Sequence, residues 1–458
     1  MKSKNSKKGV SPYLLVLLSF VGVILMGSLL LTMPFSHTNG QWGNYLDSLF
    51  ISTSATCVTG LSVYANGIGE ELTLVGQIIT LIMIQIGGLG FITIFAFIVT
   101  IFQKRLKFKD RLFLSQAVNS TNVAAVGKFV RRVIGIVVTI EILGFLLGLP
   151  VFLSVPNMPV GTAIWSSIFT AVSAFNNAGF DTFGATSLVR GLGNSVIDSM
   201  PLWAYYYMLS YIMLLIIIGG LSFVVIIEIF INRRKPRQWS SFTRIVLLTT
   251  GILLIGGFTI FCLTDATNGT IDPFNALFQS VTTRTAGFAS FDQNNLSIAG
   301  KTFTSLFMFI GGSPISTAGG IKTTTIFMIA LSFIRFVQGR KIVAFKREYT
   351  RSSILKAMSL VFLAIIILLI AYVSVASIEA PKLYPSENIF FEVFSAFGTV
   401  GLSTGITPYL ASGSKIIIII LMFFGRLGPI TMFQIFQTNM DNEETQHFKY
   451  VESDVIIG

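Results

Sequence analysis

Charge is scarce in this sequence. Of its 458 residues only 11% are Asp, Glu, Lys or Arg, against roughly 25% in an ordinary soluble domain. A soluble chain of this length needs more polar surface, so a cytosolic enzyme, a nucleic-acid binder and a disordered scaffold are excluded. Cysteine and histidine are also sparse: Cys57, Cys262, His37 and His447 are the full set. They form no ligand spacing, which removes a disulfide framework and a zinc site. No phosphate-binding loop or catalytic triad occurs, so no enzyme and no cofactor is expected and ATP hydrolysis has no recognisable basis. Apolar residues are abundant, at 53% of the chain with a mean hydropathy of +0.77. That describes a protein threaded repeatedly through a bilayer. Such a chain draws on ion gradients, where about 2.3 kcal/mol per charge is available per 100 mV of membrane potential.

The net charge of +12 is clustered. Lys2, Lys4, Lys7 and Lys8 open the chain, and further basic groups lie between Lys104 and Arg132, Arg233 and Arg244, and Arg335 and Lys356. These four clusters hold 24 of the 32 Lys and Arg. Long apolar stretches separate them, so they follow the positive-inside rule and mark the cytoplasmic side, with both termini there. A nucleic-acid partner is not needed to explain them. The first apolar stretch, Pro12 to Thr32, is too long for a signal-peptide core and is expected to stay as a membrane helix.

Between consecutive basic clusters one pattern recurs: an apolar helix, a shorter amphipathic segment ending in a glycine motif, and a second apolar helix. The motifs are Thr56-Cys57-Val58-Thr59-Gly60-Leu61, Asn176-Asn177-Ala178-Gly179-Phe180, Arg284-Thr285-Ala286-Gly287-Phe288 and Thr399-Val400-Gly401-Leu402-Ser403. Successive glycines Gly60, Gly179, Gly287 and Gly401 are 119, 108 and 114 residues apart. Ten positions before each stands Phe50, Phe169, Leu277 or Phe391, and six before it Ser54, Ser173, Val281 or Ser395. The expected fold is therefore an all-α polytopic membrane protein of four helix–re-entrant half-helix–helix repeats around a pseudo-fourfold ion pore. Its units are 1–110, 111–238, 239–348 and 349–440, with a cytoplasmic tail at 441–458. Half-helices are predicted near 45–56, 161–175, 272–283 and 386–397. The flanking helices are predicted near 12–34 and 73–102, 129–153 and 201–231, 243–264 and 302–336, and 353–377 and 413–437.

Non-helical backbone at membrane depth is tolerated only where it is packed in protein or lines water. Four such segments point to a shared aqueous axis. Glycine opens backbone angles closed to other residues, so a short run through each glycine can turn carbonyls inward, and a ring of carbonyl dipoles replaces a cation's hydration shell. The half-helix C-termini add negative potential. Eleven of the 20 acidic residues fall in predicted outer or pore-mouth segments: Asp47, Glu70, Glu71, Asp181, Asp198, Asp265, Asp272, Asp292, Glu379, Glu387 and Glu392. An acidic mouth concentrates cations. The competing explanation of the glycines is close helix packing.

The second helix of the third repeat is interrupted by Gly311-Gly312-Ser313-Pro314-Ile315-Ser316-Thr317-Ala318-Gly319-Gly320-Ile321-Lys322. Four glycines and a proline destroy helical continuity. One proline would suffice for a kink, so a flexible loop below the glycine motifs reads better as a gate. Arg426 lies deep in the last apolar stretch, where a charge costs about 2.5–3.5 kcal/mol or more. It must face protein or water, either bonding carbonyls or standing as a cationic barrier beside the loop. Lys322 either adds to that barrier or snorkels to the cytoplasm. Glu141 is expected to partner a basic residue, and Arg284 to tie down the third motif through loop carbonyls or a carboxylate.

These residues resemble the Trk/Ktr/HKT superfamily of potassium transporters over essentially the whole chain. The broken helix, with no attached cytoplasmic domain, is most similar to the membrane subunits of bacterial Ktr systems. In that superfamily a glycine in all four motifs goes with potassium selectivity, so the resemblance implies potassium as substrate; sodium as a coupling or activating ion stays open. It implies filter carbonyls from Val58, Thr59, Asn177, Ala178, Thr285, Ala286, Thr399 and Val400 beside the four glycines, and a gate of Gly311–Gly320 with Lys322 and Arg426. Only Thr399-Val400-Gly401 reads like a channel filter, so fewer coordinated positions are expected than in a channel. It also implies a homodimer in membrane lipid and a separate cytoplasmic nucleotide-binding ring, for which Arg335 to Arg351 and the acidic tail Asp441 to Asp454 are candidate docking surfaces. A gradient-coupled carrier for another small cation or organic solute is the alternative. Carriers of that kind usually show two repeats. An intramembrane enzyme would need paired ionisable residues, and none with plausible spacing occurs.

Overall fold

The computed structural model describes residues 12–101, 123–184, 187–192, 195–233 and 235–428. The expected N-terminal basic cluster, most of the cluster after Lys104 and the acidic tail lie outside these residues. The first unit is built from helices Pro12–Thr32 and Leu74–Ile101 around the half-helix Tyr45–Thr56. The second has Val123–Leu153, the half-helix Val160–Asn176, and Leu202–Gly220 followed by Phe223–Ile231. The third has Ser241–Phe261, the half-helix Pro273–Thr282, and Ile298–Phe309 followed by Thr323–Val337. The fourth has Arg351–Glu379, the half-helix Ser386–Gly398 and Ser412–Leu427. Among the described residues, four helical stretches are long and apolar enough to cross a membrane: Phe129–Leu153, Leu202–Gly220, Ser241–Ala266 and Arg351–Lys382. Leu17–Thr32, Leu74–Gly90 and Thr323–Val337 are shorter and apolar.

Local chemistry sets the half-helix ends. Asn44 and Asp272 cap the first and third by accepting from the backbone N–H groups of Leu46 and Asn275, and Pro159 and Pro385 precede the others. Three half-helices terminate identically. Val58, Asn177 and Thr399 donate their N–H to Ala55, Ala174 and Ala396, and the next residue of each donates to Ser54, Ser173 and Ser395. This paired closure is the Schellman pattern. The third half-helix is one residue shorter: Ala286 donates to Thr282. The columns read from sequence therefore shift there. Phe278 is fully buried where Leu277 was expected and Leu277 is 37% exposed, while Thr282 takes the place expected for Val281. Each half-helix thus buries a phenylalanine completely at this column: Phe50, Phe169, Phe278 and Phe391.

The second helix of each unit packs on the half-helix of the next, and that of the fourth packs on the first half-helix, so the order closes on itself. Lipid supplies no hydrophobic drive between helices, and association relies on close packing of small residues. Gly87, Gly219 and Gly425 supply it: a Cβ on any of them would run into the carbonyl of Thr56, Phe175 or Phe397, each four residues before its motif glycine.

Two breaks depart from the sequence expectation. The helix predicted at 201–231 stops at Gly220 and restarts at Phe223, and Leu74–Ile101 kinks at Gly90, with φ 65°. Gly219→Ala, against the Phe175 carbonyl, is expected to lower the melting temperature in detergent by several degrees. Gly251→Ala, with open space around it, is expected to leave it unchanged or slightly higher, since alanine favours a helix by roughly 1 kcal/mol over glycine. Equal melting temperatures for both variants would contradict the packing account.

Candidate functional site

Just beyond the half-helices the four glycine segments meet. Two residues before each glycine the backbone turns left-handed, at Val58 (φ 57°), Asn177 (φ 58°), Thr285 (φ 69°) and Thr399 (φ 51°). The glycines themselves have φ of 94°, 70°, 81° and 95°. Left-handed valine and threonine are costly, about 1–3 kcal/mol each, and such strain persists only where the surroundings enforce it.

The segments touch in cyclic order. A Cβ on Gly60 would fall on the Ala178 carbonyl oxygen and lie 3.0 Å from the Cα of Gly179. On Gly179 it would lie 2.7 Å from the Ala286 oxygen and 2.9 Å from the Cα of Gly287. On Gly287 it would fall on the Val400 oxygen and lie 3.2 Å from the Cα of Gly401. On Gly401 it would fall on the Thr59 oxygen and lie 2.9 Å from the Cα of Gly60, closing the cycle. Side chains are thus excluded at four positions by the backbone of the neighbouring segment. Thr59, Asn177, Ala178, Thr285, Ala286, Thr399 and Val400 are completely buried and Val58 nearly so. The hydroxyls of Thr59, Thr285 and Thr399 have no protein hydrogen-bond partner. Ser54 and Ser395 accept from the N–H of Gly60 and Gly401 at 3.1 Å, while Ser173 and Thr282 donate to the carbonyls of Phe180 and Phe288 at 2.5 and 2.7 Å. The result is a cluster of uncharged oxygens without a carboxylate, chemistry suited to a weakly hydrated monovalent cation.

The interrupted segment lies directly against this ring. A Cβ on Gly319 would strike the Thr399 side chain, and one on Gly320 would lie 3.3 Å from the Gly398 oxygen. Gly311 and Thr323 close its neck by donating to Ile321 and Gly312 at 2.9 and 3.0 Å. Its other partners come from the break in the second unit. Ser313 donates to Gly220 at 3.1 Å, Thr317 Oγ1 to Gly219 at 2.8 Å, and Phe223 donates to Ile315 at 2.9 Å. Pro314, with no N–H, and Ala318 complete the turn, and Ser316 Oγ donates back to Ser313 at 2.7 Å. The sequence reading missed the partnership with Gly219-Gly220 and Phe223; the glycine pair was the available signal.

Three cations hold the loop. Arg426 donates to the carbonyls of Thr317 and Gly87, joining the loop to the second helix of the first unit. Lys322 Nζ donates to Ala318 and Gly319 at 2.7 and 3.2 Å rather than reaching outward. Arg284 donates to Gly311 at 3.2 Å, so it ties the foot of the third segment to the loop and uses no carboxylate. Glu141, expected beside a basic residue, instead accepts from the amides of Asn176 and Gln85.

Beyond the ring opens a cleft of ≈ 370 Å³, lined by Gly60, Gly179, Gly287 and Gly401 and by Tyr64, Phe180, Asp181, Asp292 and Ser403 among others. Of the eleven carboxylates assigned to the mouth, Asp181 and Asp292 line this cleft. Others serve the frame. Asp47 pairs with Lys415 at 2.7 Å, Glu379 with Lys382 at 3.0 Å, Asp272 caps a helix, and Glu392 accepts from Ser403 and Thr407.

The model of the TrkH family, described as a cation transport protein, matches residues 12–447. The chain is 35% identical to the potassium/sodium uptake protein NtpJ of Enterococcus hirae, over 99% of each chain. It is 34% identical to the Ktr system potassium uptake protein B of Bacillus subtilis, over 98% of this chain and 97% of that one. In structure it resembles the potassium transporter TrkH of Vibrio parahaemolyticus with a TM-score of 0.69, at 18% identity, over 95% of this chain and 86% of that one.

Asp181 follows the second glycine segment on the outer loop, and burial pushes its carboxyl up to about 6 despite hydrogen bonds from Ser187 and the Phe183 N–H. A raised value favours the protonated form, so the cleft carries this charge above about pH 6 and loses it below. The infrared carboxyl stretch is expected to grow with a midpoint near 6 and to be missing from Asp181→Asn. A midpoint near the ordinary 3.8 would contradict the burial.

Proposed function

The chain belongs to the TrkH family of cation transport proteins, and we propose that it is the potassium-translocating membrane subunit of an uptake system, its four glycine segments forming a pseudo-fourfold selectivity filter. The carrying observation is the closed cycle of contacts Gly60–Gly179–Gly287–Gly401. Oxygens of Thr59, Ala178, Ala286 and Val400, joined by those of Val58, Asn177, Thr285 and Thr399, replace the water around potassium. The names of the curated relatives support potassium as the transported ion, and the name of the Enterococcus hirae protein supports sodium as a coupling or activating ion.

In this reading Gly311–Gly320 is a gate across the inner path. Arg426 and Lys322 fasten it through carbonyls and place positive charge below the filter, where a descending cation pauses. Opening requires the bonds from Arg426 to Thr317 and from Arg284 to Gly311 to exchange for others. The chain is multi-pass in the cell membrane with both termini cytoplasmic, works as a homodimer, and takes its control from a separate nucleotide-binding ring docked on the basic inner face. A gradient-coupled carrier for another solute is disfavoured by the cycle of four segments, since carriers of that kind usually show two repeats.

Rescue of a potassium-uptake-deficient cell at low external potassium tests the function, with and without a candidate regulatory chain. Gly60→Ala, Gly179→Ala, Gly287→Ala and Gly401→Ala are each expected to lower potassium-over-sodium discrimination by about tenfold, or about 1.4 kcal/mol; wild-type ratios in all four would remove the filter. Arg426→Ala and a shortened Gly311–Gly320 segment are both expected to raise flux when the regulatory partner is withheld. Wild-type flux from two well-folded variants would argue against a gate.

A further inference from the structure

Behind the second glycine segment lies a half-buried carboxyl that neither the ring nor the loop uses. Glu141 sits in the middle of the first helix of the second unit, Val123–Leu153. Its Oε1 accepts from Asn176 Nδ2 at 3.0 Å and its Oε2 from Gln85 Nε2 at 3.3 Å. Asn176 Nδ2 also donates to Gln85 Oε1 at 3.0 Å and to the Val172 carbonyl at 2.9 Å. Gln85 belongs to the second helix of the first unit, Leu74–Ile101. Three elements from two units are therefore tied together by one carboxyl and two amides.

Asn176 is the end of this tie that matters for the ring. It is the last residue of its half-helix, completely buried, and stands three positions before Gly179. The next residue, Asn177, adopts the left-handed turn that sets the course of the segment. The Asn176 Oδ1 has no hydrogen-bond partner and faces Gly88, where a Cβ would collide with it. The side chain is thus wedged between a glycine on one side and the carboxyl on the other. The equivalent positions in the other units are Cys57, Arg284 and Gly398, so this carboxyl–amide support belongs to the second unit alone.

We infer that Glu141 is a positioning residue for ion discrimination, holding Asn176, and through it the Asn177–Gly179 backbone, at the radius the ring requires. This rests on the filter reading proposed above. A carbonyl ring discriminates between monovalent cations through its size and the field of its dipoles, so a segment free to move inward admits the smaller ion. The carboxyl is the group that fits, because it offers acceptor oxygens to two amide donors at once. A glutamine there has one acceptor oxygen, and its own NH₂ would face one of the two donors. A carboxyl, even half-buried, is costly at membrane depth, and a purely structural tie would not need one.

The test is competitive uptake of radiolabelled rubidium against sodium by the full chain in proteoliposomes. Glu141→Gln is expected to lower rubidium-over-sodium discrimination by about tenfold, the scale of one lost hydrogen bond, with its melting temperature close to wild type. In an Asn176→Ala background it is expected to add nothing. Wild-type discrimination in Glu141→Gln, or effects that simply multiply in the double variant, would overturn the inference. Should Glu141→Gln fail to fold, Asn176→Ala decides alone: lost discrimination supports the inference and wild-type discrimination overturns it. The glycine variants separate the two levels. If Gly60→Ala, Gly179→Ala, Gly287→Ala and Gly401→Ala all leave discrimination intact, the filter reading falls; if Gly179→Ala lowers discrimination while Glu141→Gln does not, only the role of Glu141 falls.

Discussion

A cation entering a bilayer must exchange its water for other oxygens, and a backbone that leaves helical form there must find partners for its own polar groups. The two demands meet in one arrangement. Four half-helices end early, and the glycine segments that follow them touch in a closed cycle, each glycine against a carbonyl of the next; in the reading proposed above these carbonyls line the ion path. Each half-helix is anchored by a buried phenylalanine and, in three units, by a glycine of the second helix pressed on its last turn. The strain of left-handed valine and threonine is carried by that anchoring. No single unit could hold its segment in this form, because the space excluded at each glycine is filled by the next unit's backbone.

Three of the second helices are bent to the same end. Gly90, Gly220-Leu221-Ser222 and the Gly311–Gly320 segment each interrupt helical form. The third interruption is the longest and lies under the ring, and its freed backbone groups are satisfied by the break in the second unit and by Arg284, Lys322 and Arg426. Polar groups at this depth are expensive unless paired, and here nearly all the pairing runs to carbonyls. In the reading proposed above, that makes the loop an exchangeable plug, since another arrangement can replace its hydrogen bonds.

Much of this was legible in the sequence because one pattern of apolar stretch, amphipathic segment and glycine is written in it four times. The half-helices fall within a residue or two of their expected places, since the cap residues Asn44 and Asp272 and the prolines Pro159 and Pro385 mark their starts. The glycine columns were equally plain. The third unit misled at Leu277 and Val281, because a one-residue shortening before Arg284 changes no residue type enough to be noticed. The break at Leu221-Ser222 was hidden by the apolar run around it; its cause is tertiary, in the loop that arrives from the third unit. The mouth was overread, since a carboxylate's position in sequence does not tell whether it caps a helix, as Asp272 does, or lines the cleft, as Asp181 does. The partners of Glu141 and Arg426 lie in other units, beyond the reach of local pattern.

The central claim is that oxygens from all four segments converge on one dehydrated ion. Crystals of the protein grown in rubidium and measured at the rubidium absorption edge test it most directly. An anomalous peak enclosed by Gly60, Gly179, Gly287 and Gly401, replaced by potassium on exchange and lost in sodium, is the predicted result. A map with ordered rubidium elsewhere in the protein and none within that cycle would contradict the account.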